Sequence, residues 1–487
     1  MNITDPIRRH AQASPDAQAI IFPNGRTVSY RELDHTMNFL AAGVRGLGLA
    51  PGAIVGIETP RRYQDLCVRL ALARLGIVAA PGYIPAGNLA ICLIEGAIPD
   101  QPGVKFEPLD RYWPGDRARL TEAPTVPSHQ DGAAVCAIFP TSGTTGIPKL
   151  VAVSHDVIAH RMATKLSALR LPNDARQLCT IGRGTAYGFL HRLAVLCNGG
   201  VVMMNSAMEQ TERLACIDRH RVSHLVVAPI SLQRLLTALP PGSVPPPSLR
   251  QIEVGGGILP DILYKIARQR LCANIVSQYG AAEAGPVAGA TMLSLQGHPG
   301  AVGYVYPGVE VQAVDVDDNP LPPGTEGRLR VRSSGCVTGY FGNPAASAGV
   351  FRGGWVYPGD TGMVAPDGLL TVTGRESEVI NQGGTKVNAK VIEALLLSVA
   401  GIAEAAAFGA PDAFGVTRIY AAIVPNGPVN MAAVEAVCRE RLKHYAPTSI
   451  LRLGALPRNE AGKVLLDVLR KSVMAGPRGP GDRQAAP

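Results

Sequence analysis

The chain has 487 residues, 46% hydrophobic and 17% charged, with 54 Gly and 40 Pro; that length exceeds one hydrophobic core and predicts roughly two to four packed units joined by many loops. The net charge of +8 comes from arginines spread along the chain with only 5% aromatic residues, a pattern of a solvated surface serving small anionic ligands and not nucleic acid. No uncharged apolar window reaches about 18 residues, which argues against a membrane span; the first ten residues lack a signal's apolar core, and nine scattered cysteines without Cys-x-x-Cys predict reduced thiols in a cytoplasm and no zinc site.

Residues 5–21 and 30–48 carry helical spacing, and within 17–30 two short runs flank the turn Pro23-Asn24-Gly25 as a strand pair. A strand over 53–57, a helix over 63–75 with Leu66, Leu70 and Ala73 on one face, and a strand over 76–80 form a βαβ unit, which predicts an α/β layer structure. Residues 100–130, rich in proline, glycine and charge, read as a connection. Two apolar runs, 134–139 and 150–153, then bracket Thr141-Ser142-Gly143-Thr144-Thr145-Gly146-Ile147-Pro148-Lys149. Gly143 and Gly146 let the backbone bend and bring N–H groups close to an anion. The four hydroxyls can donate to phosphate oxygens, and Lys149 adds a positive charge. The spacing is not the Gly-x4-Gly-Lys-Ser/Thr of the Walker loop, and an isolated cluster of this kind is more commonly an ordinary turn.

A helix is expected over 156–169, then strands over 199–204, 224–228, 251–254 and 274–277 alternating with helices over 209–220, 232–239 (capped by Ser231) and 261–271. That alternation predicts parallel strands, whose ligands sit beyond the carboxyl ends. Gly255-Gly256-Gly257 and Gln278-Tyr279-Gly280-Ala281-Ala282-Glu283 fall at such ends, as does the tip at 228–231. After residue 300 the segments 309–316 and 329–332 alternate apolar and polar, as antiparallel strands do. A turn-rich loop ends at Asp360, a strand covers 369–373, and Gly374-Arg375 and the polar loop 381–386 follow. Helices at 389–399, 430–444 and 464–473 with strands at 403–409, 418–424 and 448–455 make a small α+β unit that carries Lys463 in a loop. The expected division is a domain over 1–374 with a β subdomain from about 300, a hinge at 375–378, a small domain over 379–474, and a disordered Gly/Pro/Arg/Ala-rich tail over 475–487.

In this order, Thr141–Lys149, the triglycine, Tyr279–Glu283, Gly339-Tyr340-Phe341-Gly342-Asn343-Pro344, Gly354–Asp360, Gly374-Arg375 and Leu456–Lys463 resemble the superfamily of adenylate-forming enzymes over nearly the whole chain. That superfamily comprises acyl-CoA synthetases, peptide-synthetase adenylation domains and luciferases. The resemblance implies an α/β protein: a large N-terminal domain of layered sheets and helices and a small mobile α+β C-terminal domain. It implies that a carboxylic acid is joined to AMP from ATP with Mg²⁺ and then passed to a thiol, of CoA or of a carrier protein's phosphopantetheine. A non-catalytic nucleotide-binding regulator is the third reading. By the resemblance Lys463 and Glu283 are catalytic, and Thr145 and Glu283 hold the metal. Thr141, Ser142, Gly143, Thr144, Gly146 and Lys149 hold phosphates. Gly255, Gly256, Gly257, Gln278, Tyr279, Gly280 and Ala282 surround the nucleotide, with Asp360 and Arg375 on the ribose. Ser377 is the hinge about which the small domain rotates, withdrawing Lys463. Displacement at the α-phosphorus concentrates negative charge, so positioning and cationic stabilisation suit that step.

Three positions depart from the family pattern: Ala282 replaces a common Thr, Thr185 stands where many members place His, and the hinge residue Ser377 stands where Asp or Lys is more common. Thr185, Tyr187, Phe189, Ala228, Gly255 and Ala281, the expected acid pocket, are small or apolar and favour an acid without an α-amino group. Arg183 leaves a dicarboxylate open; it, His155 and His191 are otherwise read as structural.

Overall fold

The computed structural model describes the chain except residues 85–87, 98, 100–102, 116–121, 142–148, 170, 205–207, 258, 376–378, 383–384, 458–463 and 475–487; at 169, 375, 379, 385, 386, 388, 390 and 467 it describes the backbone only. Among the described residues no helix is long and apolar enough to cross a membrane.

Two sheets build the larger part. A six-stranded sheet runs Phe106–Pro108, Ile91–Ile94, Ile54–Glu58, Val78–Pro81, Val135–Thr141, Lys149–Ser154. Its pairs are parallel except the last, in which Thr141 faces Lys149 across an antiparallel ladder. Val78–Pro81 and Ile91–Ile94 are buried throughout, as parallel strands covered on both faces must be. The expected connection over 100–130 contains the edge strand Phe106–Pro108 and a 3-10 turn, Leu109–Arg111. Runs of three or four residues carry too little periodicity to be read from sequence; the sheet beside them decides.

The second sheet has 15 strands. Its parallel half is ordered Gln18–Ile21, Val201–Met203, Arg176–Cys179, His224–Val227, Gln251–Gly255, Ile275–Ala281, so the predicted alternation did indicate parallel pairing. The strand Arg176–Cys179 and the helix Ala186–Cys197 were not expected: His191 and Arg192 interrupt that helix's apolar pattern, yet both are buried. Ser231 does not cap a helix. The helix starts three residues earlier as Pro229–Ala238, with Ala228 at the N-cap, because proline's fixed φ suits a first helical turn. The last parallel strand continues past residue 277 through Tyr279 to Ala281, since Gly285–Thr291 folds back and pairs with it, Tyr279 opposite Ala288 and Ala281 opposite Gly285.

The sheet then continues antiparallel through Ala301–Val305, Leu369–Arg375, Asp360–Val364 and Gly327–Arg332, with Glu310–Val314 beside the last. A three-stranded sheet, Ile402–Pro411, Thr417–Pro425 and Ser449–Arg452, carries the C-terminal helices Ala389–Leu397, Met431–Leu442 and Leu466–Met474. It touches the larger part where Gln233 donates to Asp412 (2.9 Å) and accepts from Arg418 (2.6 Å).

Candidate active site

A cleft of about 1390 Å³ opens at the carboxyl ends of the parallel strands, where the topology of such sheets leaves room for ligands. Thr141, Lys149, Ala228, the three glycines 255–257 and Gln278–Glu283 line one side of it, and Tyr340 and Asp360 another.

At one end Tyr279 Oη donates to Asp360 Oδ2 at 2.6 Å. Asp360 is 5% exposed and begins the strand Asp360–Val364, where it faces Arg375 across the ladder. Gly256 has φ +81°, a conformation open to glycine at no steric cost. A Cβ at Gly255 would sit 2.3 Å from Tyr187 Oη, so the backbone approaches that ring as only glycine permits.

Beside Lys149, the pairing of residue 340 with Val151 brings Tyr340 onto the strand Lys149–Ser154. Its Oη donates to Glu283 Oε1 at 2.7 Å, and Lys149 Nζ lies 4.8 Å from its ring centroid. The backbone beneath Glu283 is held by Arg161, which is 3% exposed. Arg161 donates from Nη2 to the carbonyls of Ala282 (3.0 Å) and Glu283 (3.3 Å), and from Nε to that of Gly335 (2.7 Å). Burial pulls the Arg161 guanidinium down to about 10, which leaves it cationic at neutral pH.

The other end of the cleft rests on a buried ionic group. Lys165 Nζ donates to Glu253 Oε1 (2.7 Å), Glu253 Oε2 (3.0 Å) and Gln278 Oε1 (3.0 Å). Tyr187 Oη donates to the same Glu253 and Gln278 oxygens at 2.9 and 3.0 Å. His191 Nε2 lies 3.1 Å from Glu253 Oε1, outside hydrogen-bonding direction. Burial alone would raise the Glu253 pKa, but the adjacent His191 and Lys165 outweigh it and hold the carboxylate well below its usual range. Burial takes His191 down to about 4, so the imidazole is neutral at pH 7; burial also lowers the pKa of Lys165, an effect its contact with Glu253 opposes.

Of the expected site residues, the cleft gathers Thr141, Lys149, Thr185, Tyr187, Ala228, Gly255, Gly256, Gly257, Gln278, Tyr279, Gly280, Ala281, Ala282, Glu283 and Asp360. It does not gather Phe189, which is 4% exposed and packs on Phe139 at 5.4 Å between ring centroids. Thr185 also caps the helix Ala186–Cys197, accepting from Gly188 N at 3.0 Å. Ser142, Gly143, Thr144, Thr145, Gly146, Ser377 and Lys463 lie outside the described residues, and Arg375 is placed by its backbone alone. His155 is fully buried; it accepts from Ile3 N at 3.2 Å, and burial takes it down to about 4. Sequence reasoning missed Arg161, Lys165, Glu253 and the role of Tyr340. Glu253 left a signal, a charge inside the apolar strand Gln251–Gly255, since charges so placed are paired.

The family model described as "AMP-binding enzyme" matches residues 7–94 and 85–341, and that of the "AMP-binding enzyme C-terminal domain" matches residues 391–463. The chain belongs to the AMP-binding enzyme family, and with it to the adenylate-forming superfamily of acid–thiol ligases and adenylation enzymes. It is 28% identical to the indoleacetate–CoA ligase of Aromatoleum aromaticum over 97% of this chain and 98% of that one. It is 27% identical to the salicyl-AMP ligase / salicyl-S-ArCP synthetase of Mycobacterium tuberculosis over 95% of this chain and 88% of that one. Among solved structures it superposes on the o-succinylbenzoate CoA synthetase of Bacillus subtilis bound with a product analogue, with TM-score 0.80, 22% identity and coverage of 96% and 98%. The same synthetase in complex with ATP and magnesium ion gives TM-score 0.70, at 23% identity and coverage of 96% and 99%.

Proposed function

We propose that this enzyme activates a carboxylic acid with ATP to an acyl-AMP, releasing pyrophosphate, and transfers the acyl group to the thiol of CoA. One observation carries the reading: Tyr279 with Asp360, and Glu283 with Tyr340 and Lys149, occupy the same cleft. A hydrogen-bonded carboxylate suits ribose hydroxyls, and a lysine and a carboxylate gathered on one tyrosine suit a metal-bound polyphosphate. Glu283 keeps Oε2 as a hard oxygen donor for Mg²⁺ while Tyr340 fixes Oε1. Mg²⁺ bound with ATP would neutralise phosphate charge. Arg161 holds the Ala282–Glu283 backbone, and so the direction in which that carboxylate points. In this reading Tyr279 and the triglycine enclose the adenine, and Ala228, Ala281, Tyr187 and Thr185 face the acid. Lys463 and the loop 142–148 supply cationic and hydroxyl contacts to the phosphates, and Ser377 is the pivot between the two half-reactions.

ATP–pyrophosphate exchange over a panel of acids tests the first half, and thioester formation with CoA against a phosphopantetheinyl carrier tests the second. Acid-dependent exchange and a CoA thioester are expected. Transfer to the carrier alone would replace the acceptor, an outcome to which the salicyl-S-ArCP synthetase relative lends weight. Absence of exchange with every acid would end the proposal. Lys463→Ala is expected to abolish exchange while sparing thioester formation from supplied acyl-AMP; equal loss of both would contradict its role.

A further inference from the structure

The loop between the strands Ile402–Pro411 and Thr417–Pro425 of the C-terminal unit is seated on the larger part. Gln233, buried on the helix Pro229–Ala238, donates from Nε2 to Asp412 Oδ2 (2.9 Å) and accepts at Oε1 from Arg418 Nη2 (2.6 Å). Arg418 Nε closes the ring on the same Asp412 oxygen at 2.9 Å. Both ends of one amide are thus engaged, each by a residue of the other unit. Val416 is 2% exposed and belongs to an apolar cluster whose other buried members all lie between Ile21 and Ile275. Gly415, at φ +75°, comes so near that a Cβ there would stand 2.7 Å from Pro260 Cβ.

The roles within this contact differ. Asp412 Oδ1 braces the loop itself, accepting from Phe414 N (2.9 Å) and Val416 N (3.1 Å). Gln233 and Arg418 make the bond between the units. The amide and the guanidinium must meet in register, so the contact selects one orientation. It consists of a few hydrogen bonds and one buried valine, and a contact of that kind opens more readily than a large apolar interface.

Docked in this way, the C-terminal unit turns Ile380, Asn381, Gln382, Phe408, Gly409 and Thr417 to the cleft. Arg470 lines it as well and donates from Nε to the Gly409 carbonyl at 3.1 Å. No carboxylate of the unit stands among the described lining residues. A wall made mostly of amides, a hydroxyl and apolar groups suits an uncharged arm that ends in a thiol. A triphosphate calls instead for a wall of cations.

We propose that Gln233 and Arg418 are positioning residues of the second half-reaction: they latch the C-terminal unit in the orientation that passes the acyl group to the thiol. The inference rests on the adenylation reading above, in which the unit turns about residue 377 between the two steps. In the transfer the thiol sulfur bonds to the acyl carbon and the bond to the AMP oxygen breaks. AMP leaves with that electron pair, and the thiol's proton passes to water. The latch touches none of these atoms; it sets how much of the protein stands ready for them.

The test measures the half-reactions separately in the full chain, as ATP–pyrophosphate exchange and as single-turnover thioester formation from supplied acyl-AMP. Gln233→Ala and, separately, Arg418→Met are expected to lower the ratio of transfer to exchange by about 10-fold, with exchange unchanged or raised. Each rate follows the population of its own orientation, and each variant removes a hydrogen bond to a charged group. Arg418→Lys is expected to restore part of the ratio. The two changes combined are expected to lower it by less than the product of the single effects, because both side chains serve one contact. An equal fall in both half-reactions would overturn the proposal, since the contact would then be structural only. So would an unchanged ratio in both single variants. A fall confined to exchange would also overturn it and assign this orientation to adenylation. Each of these results leaves adenylation standing. Exchange with no acid in the unsubstituted chain would remove the adenylation reading and the latch with it.

Discussion

The two ends of the cleft are held by different means. At the end proposed for the nucleotide, Tyr279, Asp360, Glu283 and Tyr340 make short hydrogen bonds on side chains that open to the cleft. At the end proposed for the acid, Lys165 and Glu253, 1% and 3% exposed, form a buried ion pair on which Tyr187 and Gln278 converge. The first arrangement can be cut with loss of function and little loss of fold. The second is part of the fold, because a buried charge deprived of its partner carries its whole desolvation cost.

Four experiments sharpen or break that contrast. Glu253→Ala strands the Lys165 ammonium and is expected to cost about 3–5 kcal/mol by urea denaturation, whereas Lys165→Met with Glu253→Leu recovers most of it; a loss under about 1 kcal/mol for the single change would remove the distinction between the ends. Asp360→Ala removes the acceptor of the Tyr279 hydroxyl. A hydrogen bond to a charged group contributes about 1.5–3 kcal/mol, so kcat/KM for ATP should fall about 10- to 100-fold with Tm shifted by only a few degrees. A comparable loss of Tm would put Asp360 with the structural group.

The third experiment is a pH series. His155 and His191 have folded pKa values lowered to about 4 by burial, below the ordinary value near 6.5. Between about pH 6.5 and 4 the unfolded chain binds protons that the folded one refuses. Stability is therefore full above 6.5 and falls as pH drops, by up to about 1.4 kcal/mol per pH unit for each imidazole. Glu253, held low, adds its loss only at still lower pH. His191→Gln should flatten the slope of Tm between pH 7 and 5; an unchanged slope would show that His191 takes its proton while folded. The smallest effect is expected for Tyr340→Phe, which removes one hydrogen bond to Glu283. A hydrogen bond to a charged group contributes about 1.5–3 kcal/mol, but Phe keeps the ring and water can replace the lost donor, so only part of it is expected as a rise of about 3- to 10-fold in half-saturating Mg²⁺, with stability unaltered. No change would detach Tyr340 from the metal.

The same division governs what could be read beforehand. The nucleotide end was legible because its residues are contiguous with strand ends: Gly255–Gly257 follows one parallel strand, and Tyr279–Glu283 continues another. The acid end was legible only in part. Tyr187 and Phe189 were both assigned to it because the helix Ala186–Cys197 was not recognised. Residues two apart in a helix point to different faces, and Phe189 turns into the core. Lys165 lies in the helix His155–Leu169 and Glu253 on a strand 88 positions away, and nothing local records that they meet.

The sequence by itself determined the parallel strands and the polar, glycine-rich strand ends, because hydrophobic period and turn chemistry are local properties of the chain; the class of protein followed from the resemblance of its ordered motifs, Thr141–Lys149 through Leu456–Lys463, to a known superfamily. Tertiary structure alone decided which charges are paired. Lys165 with Glu253 and Arg161 on the carbonyls of Ala282 and Glu283 depend on contacts between distant segments, and the worth of each charge depends on how much water those contacts remove.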